Sequence, residues 1–137
     1  RIRAFCRETD QPEPASRGDL ARVVYESLAM KYRLTVEKLG RLVGHDLGTF
    51  HVVGGGSRNN LLNQFTANAL GRQVVAGPVE ATAAGNLLCQ FQALGVLPDS
   101  REGGKLIRNS FDTDSFQPRN AGAWEDAYQQ FRTLLSS

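Results

Sequence analysis

A glycine-rich turn between an apolar segment and a helical segment is where this sequence most favours ligand chemistry. Residues 54–57, Gly-Gly-Gly-Ser, follow a short β-branched run, and consecutive glycines let a ligand approach the main chain closely. The helix that follows offers unpaired N–H groups and a positive dipole end, which suit a phosphate or a ribose edge. Asn59 and Asn60 in its first turn could cap the helix or bind a ligand. A tight turn that only lets helix pack on strand explains the spacing equally well.

Other chemistry-bearing residues favour structural explanations. The turn matches neither the GxGxxG pattern nor a phosphate loop ending in Gly-Lys-Ser/Thr. Residues 46–49 spell D-x-G-T, but a predicted helix precedes them and a predicted strand follows, so we interpret them as a connecting loop. Glu80 could be a general base, yet a carboxylate in the first helical turn stabilises the dipole by about 0.3–1 kcal/mol. Asp112 and Asp114 lie in a polar segment and are typical of solvated turns.

The histidines, cysteines and aromatic residues indicate no metal site and no nucleophile. His45 and His51 have no second ligand at zinc spacing. Cys6 and Cys89 stand alone, as in reduced proteins, and we expect Cys89 to act as a small hydrophobe on the apolar face of its helix. An aromatic stripe near the C-terminus could stack on bases, but its helical spacing predicts packing on a core. Its members are Trp124, Tyr128, Phe131 and Leu135.

Composition narrows the class of protein. The 137 residues carry 16 Lys and Arg against 14 Asp and Glu, a formal charge of +2, and 41% are hydrophobic. These values are typical of a soluble globular domain and give no reason to expect nucleic acid or an acidic membrane as partner. No apolar run approaches the roughly eighteen residues of a membrane span, and no apolar signal region opens the sequence. We therefore expect a cytoplasmic protein.

The elements that must position the turn alternate between helix and strand. Residues 1–15 are expected to be irregular because Pro12 and Pro14 disfavour helix and sheet. A strand–helix–strand unit predicts parallel pairing with a right-handed crossover, and two buried strands need further strands upstream to complete their sheet. Apolar stripes predict helices over 20–43, 61–70 and 83–94. A short helix is predicted over 101–109 and a last one from about Ala121. The predicted strands are 49–53 and 73–76, and 111–118 is predicted to be a loop.

Residues 51–95 closely resemble the C-terminal domain of FGGY-type carbohydrate kinases, and residues 16–33 are similar to the helix before that family's adenosine-binding turn. Residues 77–86, GPVEATAAGN, are most similar to the branch that phosphorylates L-rhamnulose. The resemblance implies an α/β fold, a partial actin-like, ribonuclease H-like ATPase domain with short parallel strands and flanking helices. It divides the chain into a lead-in, 1–15, and the C-terminal part of a nucleotide-binding domain, 16–137.

By matched position, the resemblance implies that Gly55 lies against ATP, that Gly54, Gly56 and Ser57 shape the turn, and that Asn59 contacts the adenosine. It also implies Mg²⁺ and a small sugar as partners. The catalytic base and the sugar-binding residues belong upstream, so we expect no catalytic residue and no metal ligand in this chain.

The opening residue, Arg1 rather than Met, fits a portion of a larger kinase whose N-terminal domain is missing. We expect this portion to be inactive alone and to self-associate through uncovered apolar faces. One alternative is another FGGY kinase that acts on a different ketose or polyol. Another is a non-catalytic module that uses the turn for nucleotide binding or association.

Overall fold

The computed structural model describes residues 1–136, which form six α-helices, three short strands and one 3-10 turn. None of the helices in this range is both long and apolar enough to cross a membrane. The elements in chain order are α1 Ile2–Glu8, α2 Arg17–Val43, β1 Phe50–Val52, the 3-10 turn Gly54–Arg58, α3 Asn60–Leu70, β2 Val74–Ala76, α4 Ala81–Ala93, α5 Ser100–Ser110, β3 Asp114–Phe116 and α6 Ala121–Ser136.

Local capping signals define the two helices around β1. At the start of α2, Asp19 N donates to Ser16 Oγ (3.1 Å) and Ser16 N donates to Asp19 Oδ2 (2.9 Å), which completes a capping box. These two hydrogen bonds lower the pKa of the Asp19 carboxyl. Gly44 ends α2 and Gly71 ends α3 with φ values of +73° and +63°, a backbone conformation that favours glycine. The helices predicted from the apolar stripes over 20–43 and 61–70 are confirmed, and their caps lie just outside those stripes.

The sheet has the order β1-β2-β3. Strands β1 and β2 are parallel, with Phe50 opposite Val74, and α3 forms the predicted crossover between them. The prediction of a loop over 111–118 is wrong for Asp114–Phe116, which pairs antiparallel with β2. This strand has two exposed residues and one half-buried residue, so main-chain pairing places it rather than an apolar pattern. The α/β class is confirmed, with a mixed sheet.

The structure also differs from the prediction in an additional helix and in the start of α4. The segment expected to be irregular contains α1, whose Cys6 is buried; the prolines act only beyond it, and Arg3 Nε donates to Pro14 O at 2.9 Å. The division of the chain at residue 15 stays a prediction. Helix α4 begins at Ala81, so Glu80 lies before its first turn rather than in it, because residues 77–80 form a loop that bonds to the glycine turn.

The core lies between α2, α3 and α6, and it confirms that the aromatic stripe of α6 packs inward. Trp124 lies 5.3 Å from Phe65, ring centroid to ring centroid, whereas Leu135 at the end of the stripe is exposed. The buried cluster is Ala29, Met30, Ala69 and Tyr128, with Leu34, Phe65, Trp124 and Phe131 packed against it.

The apolar stripe predicted for α2 is only partly buried. Val24, Leu28, Leu39 and Val43 are exposed, and the buried residues of the helix are Ala29, Met30 and Val36. Between α1, α2 and α6 lies an apolar groove of about 930 Å³. The expected self-association of the isolated chain stays a prediction.

A polar network joins α2 to α6 beside the core. Tyr128 Oη donates to Glu37 Oε2 at 2.8 Å, and the Arg33 guanidinium carbon lies 3.8 Å from the centre of the Tyr128 ring. Arg33 also pairs with Glu37 at 2.9 Å and with Glu125 at 2.6 Å. Burial of the phenol, together with its bond to Glu37, raises the pKa of Tyr128 to about 12. The network therefore favours the neutral phenol.

Candidate functional site

Two turns meet at one edge of the sheet. The glycine turn follows the carboxyl end of β1, and residues 77–80 follow the carboxyl end of the parallel strand β2. Gly54 N donates to Pro78 O at 2.9 Å and Gly77 N donates to Val52 O at 2.8 Å, so the main chain joins the turns directly. Open α/β sheets bind ligands outside the carboxyl ends of their strands. This edge is therefore the candidate site.

The three glycines of the turn differ in backbone conformation and in the space around them. Gly54 has a φ of +73°, whereas Gly55 and Gly56 do not have a positive φ. A Cβ built on Gly56 would lie 3.6 Å from Val52 Cγ1, whereas a Cβ on Gly55 would meet no heavy atom within 4 Å. The backbone conformation thus requires glycine at position 54, and the open space lies at position 55.

Ser57 stabilises the turn through its buried side chain. Its side chain is buried, with 5% of the residue exposed, and its hydroxyl donates to Gly54 O at 2.7 Å. The carbonyl of Ser57 accepts a hydrogen bond from Asn63 Nδ2 at 2.9 Å. Sequence analysis missed Asn63, although an amide among the apolar residues of α3 was the signal that could have found it.

The buried face of α3 differs from the predicted stripe. Leu61 is half exposed, whereas the buried residues are Asn63, Thr66, Ala67, Asn68 and Ala69. Three of these five are polar, and their hydrogen bonds reach the turn, the helix itself and the segment before α6. The inward face of this helix therefore combines packing with hydrogen bonding.

Asn59 caps α3, as one of the two interpretations of its sequence position predicted. Its Oδ1 accepts from Leu62 N at 3.1 Å. Its Nδ2 makes no hydrogen bond to any residue between 1 and 136. Capping therefore uses one amide atom and leaves the donor for a ligand, so the two interpretations are compatible.

The D-x-G-T segment is the connecting loop that its flanking elements predicted. It lies before the amino end of β1, at the other end of the strand from the glycine turn. Asp46 Oδ1 pairs with Arg72 Nη1 at 2.8 Å, and Arg72 also donates to the carbonyl of Leu47. The aspartate thus anchors the loop to the start of β2.

Of the remaining candidates, Glu80 ends the loop of the candidate site, and Asp112 lies beside Gly77 of that loop, where a built Cβ would be 3.0 Å from Asp112 O. Glu80 is exposed and precedes α4 without a side-chain cap, so it lies one residue before the helix rather than in its first turn. His45, His51, Asp112 and Asp114 are exposed, and no group of three or more potential metal ligands occurs among the described residues. Cys89 is exposed, contrary to its expected place on an apolar face, because α4 buries Ala84 instead.

Comparison with known proteins matches residues 1–94 to the FGGY family of carbohydrate kinases, C-terminal domain. A rhamnulokinase of Bacteroides thetaiotaomicron is 47% identical over 134 residues, 98% of this chain and 28% of that protein. A rhamnulokinase of Enterococcus faecalis is 48% identical over 118 residues, 85% of this chain and 24% of that protein. The chain thus spans about a quarter of the length of these relatives.

Two solved structures share the fold. A xylulose kinase from Rhodospirillum rubrum superimposes with a TM-score of 0.67 at 24% identity, and a xyloylose kinase from Brucella ovis with 0.65 at 26%. Each match covers 88% of this chain and 25% of the other chain.

Proposed function

Because the chain belongs to the FGGY family of carbohydrate kinases, where it matches the C-terminal domain, we propose that the full-length protein is an ATP-dependent kinase of L-rhamnulose. It transfers the terminal phosphoryl group of ATP to a primary hydroxyl of the ketose and yields ADP and L-rhamnulose 1-phosphate. The observation that carries this proposal is 47% identity to a rhamnulokinase across 98% of the chain. An intracellular ATP supply and two free thiols favour the cytoplasm.

Within that enzyme, this chain supplies the adenosine side of the ATP site. The open space at Gly55 admits a ligand to the main chain, and the Nδ2 donor of Asn59 lies at the start of α3, beside the same turn. Gly54, Gly56 and Ser57 give the turn its shape. The position of the turn at the carboxyl edge of the sheet supports this assignment.

Mg²⁺ is proposed to accompany ATP, since phosphoryl transfer depends on neutralising phosphate charge. The described residues do not fit a Mg²⁺ site by themselves, because no cluster of three or more acidic or other metal-ligating side chains occurs among them. We therefore assign the protein ligands of the ion, the base and the sugar-binding groups to an N-terminal domain and upstream segments.

Turnover of the full-length protein tests the proposed function. We expect ADP production with L-rhamnulose, and none from the 137-residue chain alone, because phosphoryl transfer needs groups that this chain does not contribute. The assay compares L-rhamnulose with L-fuculose, D-xylulose and glycerol at equal concentration. A preference for another sugar would assign a different kinase of the family, and ATP binding without sugar-dependent turnover would favour a non-catalytic module.

Two substitutions of Asn59 distinguish a role in ligand binding from a role in capping α3. Asn59→Ala in the full-length protein is expected to raise the KM for ATP roughly two- to tenfold, because one hydrogen bond is lost. It should also cost about 1 kcal/mol of stability through the lost cap. Asn59→Ser keeps a capping oxygen but not Nδ2, so it should restore the melting temperature and leave the KM raised. If Asn59→Ser restores both, capping is the whole role.

A further inference from the structure

Asn63 is a buried amide whose hydrogen bond leaves its own helix. Only 1% of the residue is exposed, and Nδ2 donates to Ser57 O at 2.9 Å, six residues back along the chain. Ser57 in turn donates its hydroxyl to Gly54 O at 2.7 Å. Two consecutive contacts therefore connect the buried face of α3 to the first residue of the glycine turn.

The position would accept an apolar side chain if packing were its purpose. The same helix buries Ala67 and Ala69, each with 0% exposure, and burying an amide is unfavourable unless it finds a partner. Thr66, equally buried, bonds to Leu62 O within α3 at 2.7 Å. Asn63 differs from Thr66 because its bond stabilises the turn rather than the helix.

Two hydrogen bonds at Gly54 determine the direction of the main chain at Gly55. Gly54 N is held by Pro78 O at 2.9 Å and Gly54 O is held by Ser57 Oγ. With both polar atoms of Gly54 engaged, the peptide that leads to Gly55 has little freedom to rotate. The orientation of the Gly55 main chain thus depends on Ser57 and, through it, on Asn63.

We propose that Asn63 and Ser57 are positioning residues that preorganise the turn for ATP, an inference that rests on the proposed function. A preorganised turn binds its ligand without the cost of ordering itself. Loss of either contact leaves the fold in place and allows the turn more conformations. The consequence falls on nucleotide affinity rather than on the chemical step.

The test uses three variants of the full-length protein. Asn63→Leu keeps the branched outline of the side chain with a larger volume and removes the donor, Ser57→Ala removes only the hydroxyl, and Thr66→Val is the matched control on the same helix. Initial rates give kcat and both KM values, and calorimetry with a nonhydrolysable ATP analogue gives Kd. We expect the first two variants to raise the KM and Kd for nucleotide roughly three- to tenfold. We expect kcat to stay within about twofold and the KM for L-rhamnulose to stay unchanged.

Each possible result of this test either supports or contradicts the positioning role of Asn63 and Ser57. Thr66→Val should lower the melting temperature without moving the nucleotide KM, which separates positioning from general stability. If Asn63→Leu does not fold, Asn63→Ala takes its place, because it removes the same donor to Ser57 O without adding volume. Folded variants with wild-type nucleotide Kd overturn the inference while the proposed function stands. A wild-type protein that does not bind the analogue overturns the proposed function and the inference together.

Discussion

Gly55→Val in the full-length protein is expected to weaken ATP binding roughly five- to hundred-and-fifty-fold while the fold remains intact. The structure leaves open space where the new side chain would begin, since a Cβ at Gly55 meets no heavy atom within 4 Å. If that space belongs to the nucleotide, the valine occupies the volume of the ligand. Overfilling a packed site costs about 1–3 kcal/mol, which corresponds to a roughly five- to hundred-and-fifty-fold rise in Kd.

Gly48→Val is the matched control for this substitution. Gly48 has no positive φ and no heavy atom within 4 Å of a built Cβ, and it lies before the amino end of β1, away from the turn. Calorimetric titration with ATP and thermal melts of both variants complete the comparison. A folded Gly55→Val protein that binds ATP like wild type would contradict the assignment of Gly55 to the nucleotide site.

Tyr128→Ala is expected to destabilise the domain by about 3–5 kcal/mol, the range for deleting a buried aromatic side chain. Only 1% of Tyr128 is exposed, and its ring lies beneath Arg33 and 6.4 Å from the Phe131 ring. Tyr128→Phe retains the ring and should lose about 1.5–3 kcal/mol for the bond to the Glu37 carboxylate. Urea unfolding of the full-length protein measures both changes, and an alanine variant as stable as the phenylalanine variant would contradict this account of the core.

Deprotonation of the Tyr128 phenol is expected to lower the stability of the folded protein at alkaline pH. Its pKa in the folded state is raised from 10.0 to about 12, so the folded state holds the proton more tightly than the unfolded chain. The contribution is fully present below pH 10 and is lost as pH rises toward 12. Tyr128→Phe should remove this part of the loss of unfolding free energy between pH 10 and pH 12. The control Tyr25→Phe should retain it.

Elements with local signals could be predicted from the sequence. The Ser16 capping box, the glycines at positions 44 and 71, and the strand–turn–helix–strand order all follow from interactions among residues close in the chain. The candidate site is of this kind, because consecutive glycines after a strand are visible without a structure. The ligand contacts of Gly54, Gly55, Gly56, Ser57 and Asn59 remain predictions.

Elements that depend on distant partners could not be predicted. Strand β3 has no apolar pattern, and it exists because the free edge of β2 offers main-chain groups to Asp114–Phe116. The buried side of α2 was misjudged because α3 and α6, not its own periodicity, decide which residues are covered.

The sequence by itself thus determined the α/β class, the turn and the crossover, because these depend on backbone preferences over a few residues. Only the tertiary structure decided that Gly54 and not Gly55 requires a left-handed conformation and that Asn63 reaches back to Ser57. The first depends on the loop after β2, where Pro78 O accepts from Gly54 N, and the second on how α3 lies against the glycine turn. A buried hydrogen bond has directional requirements that periodicity does not encode.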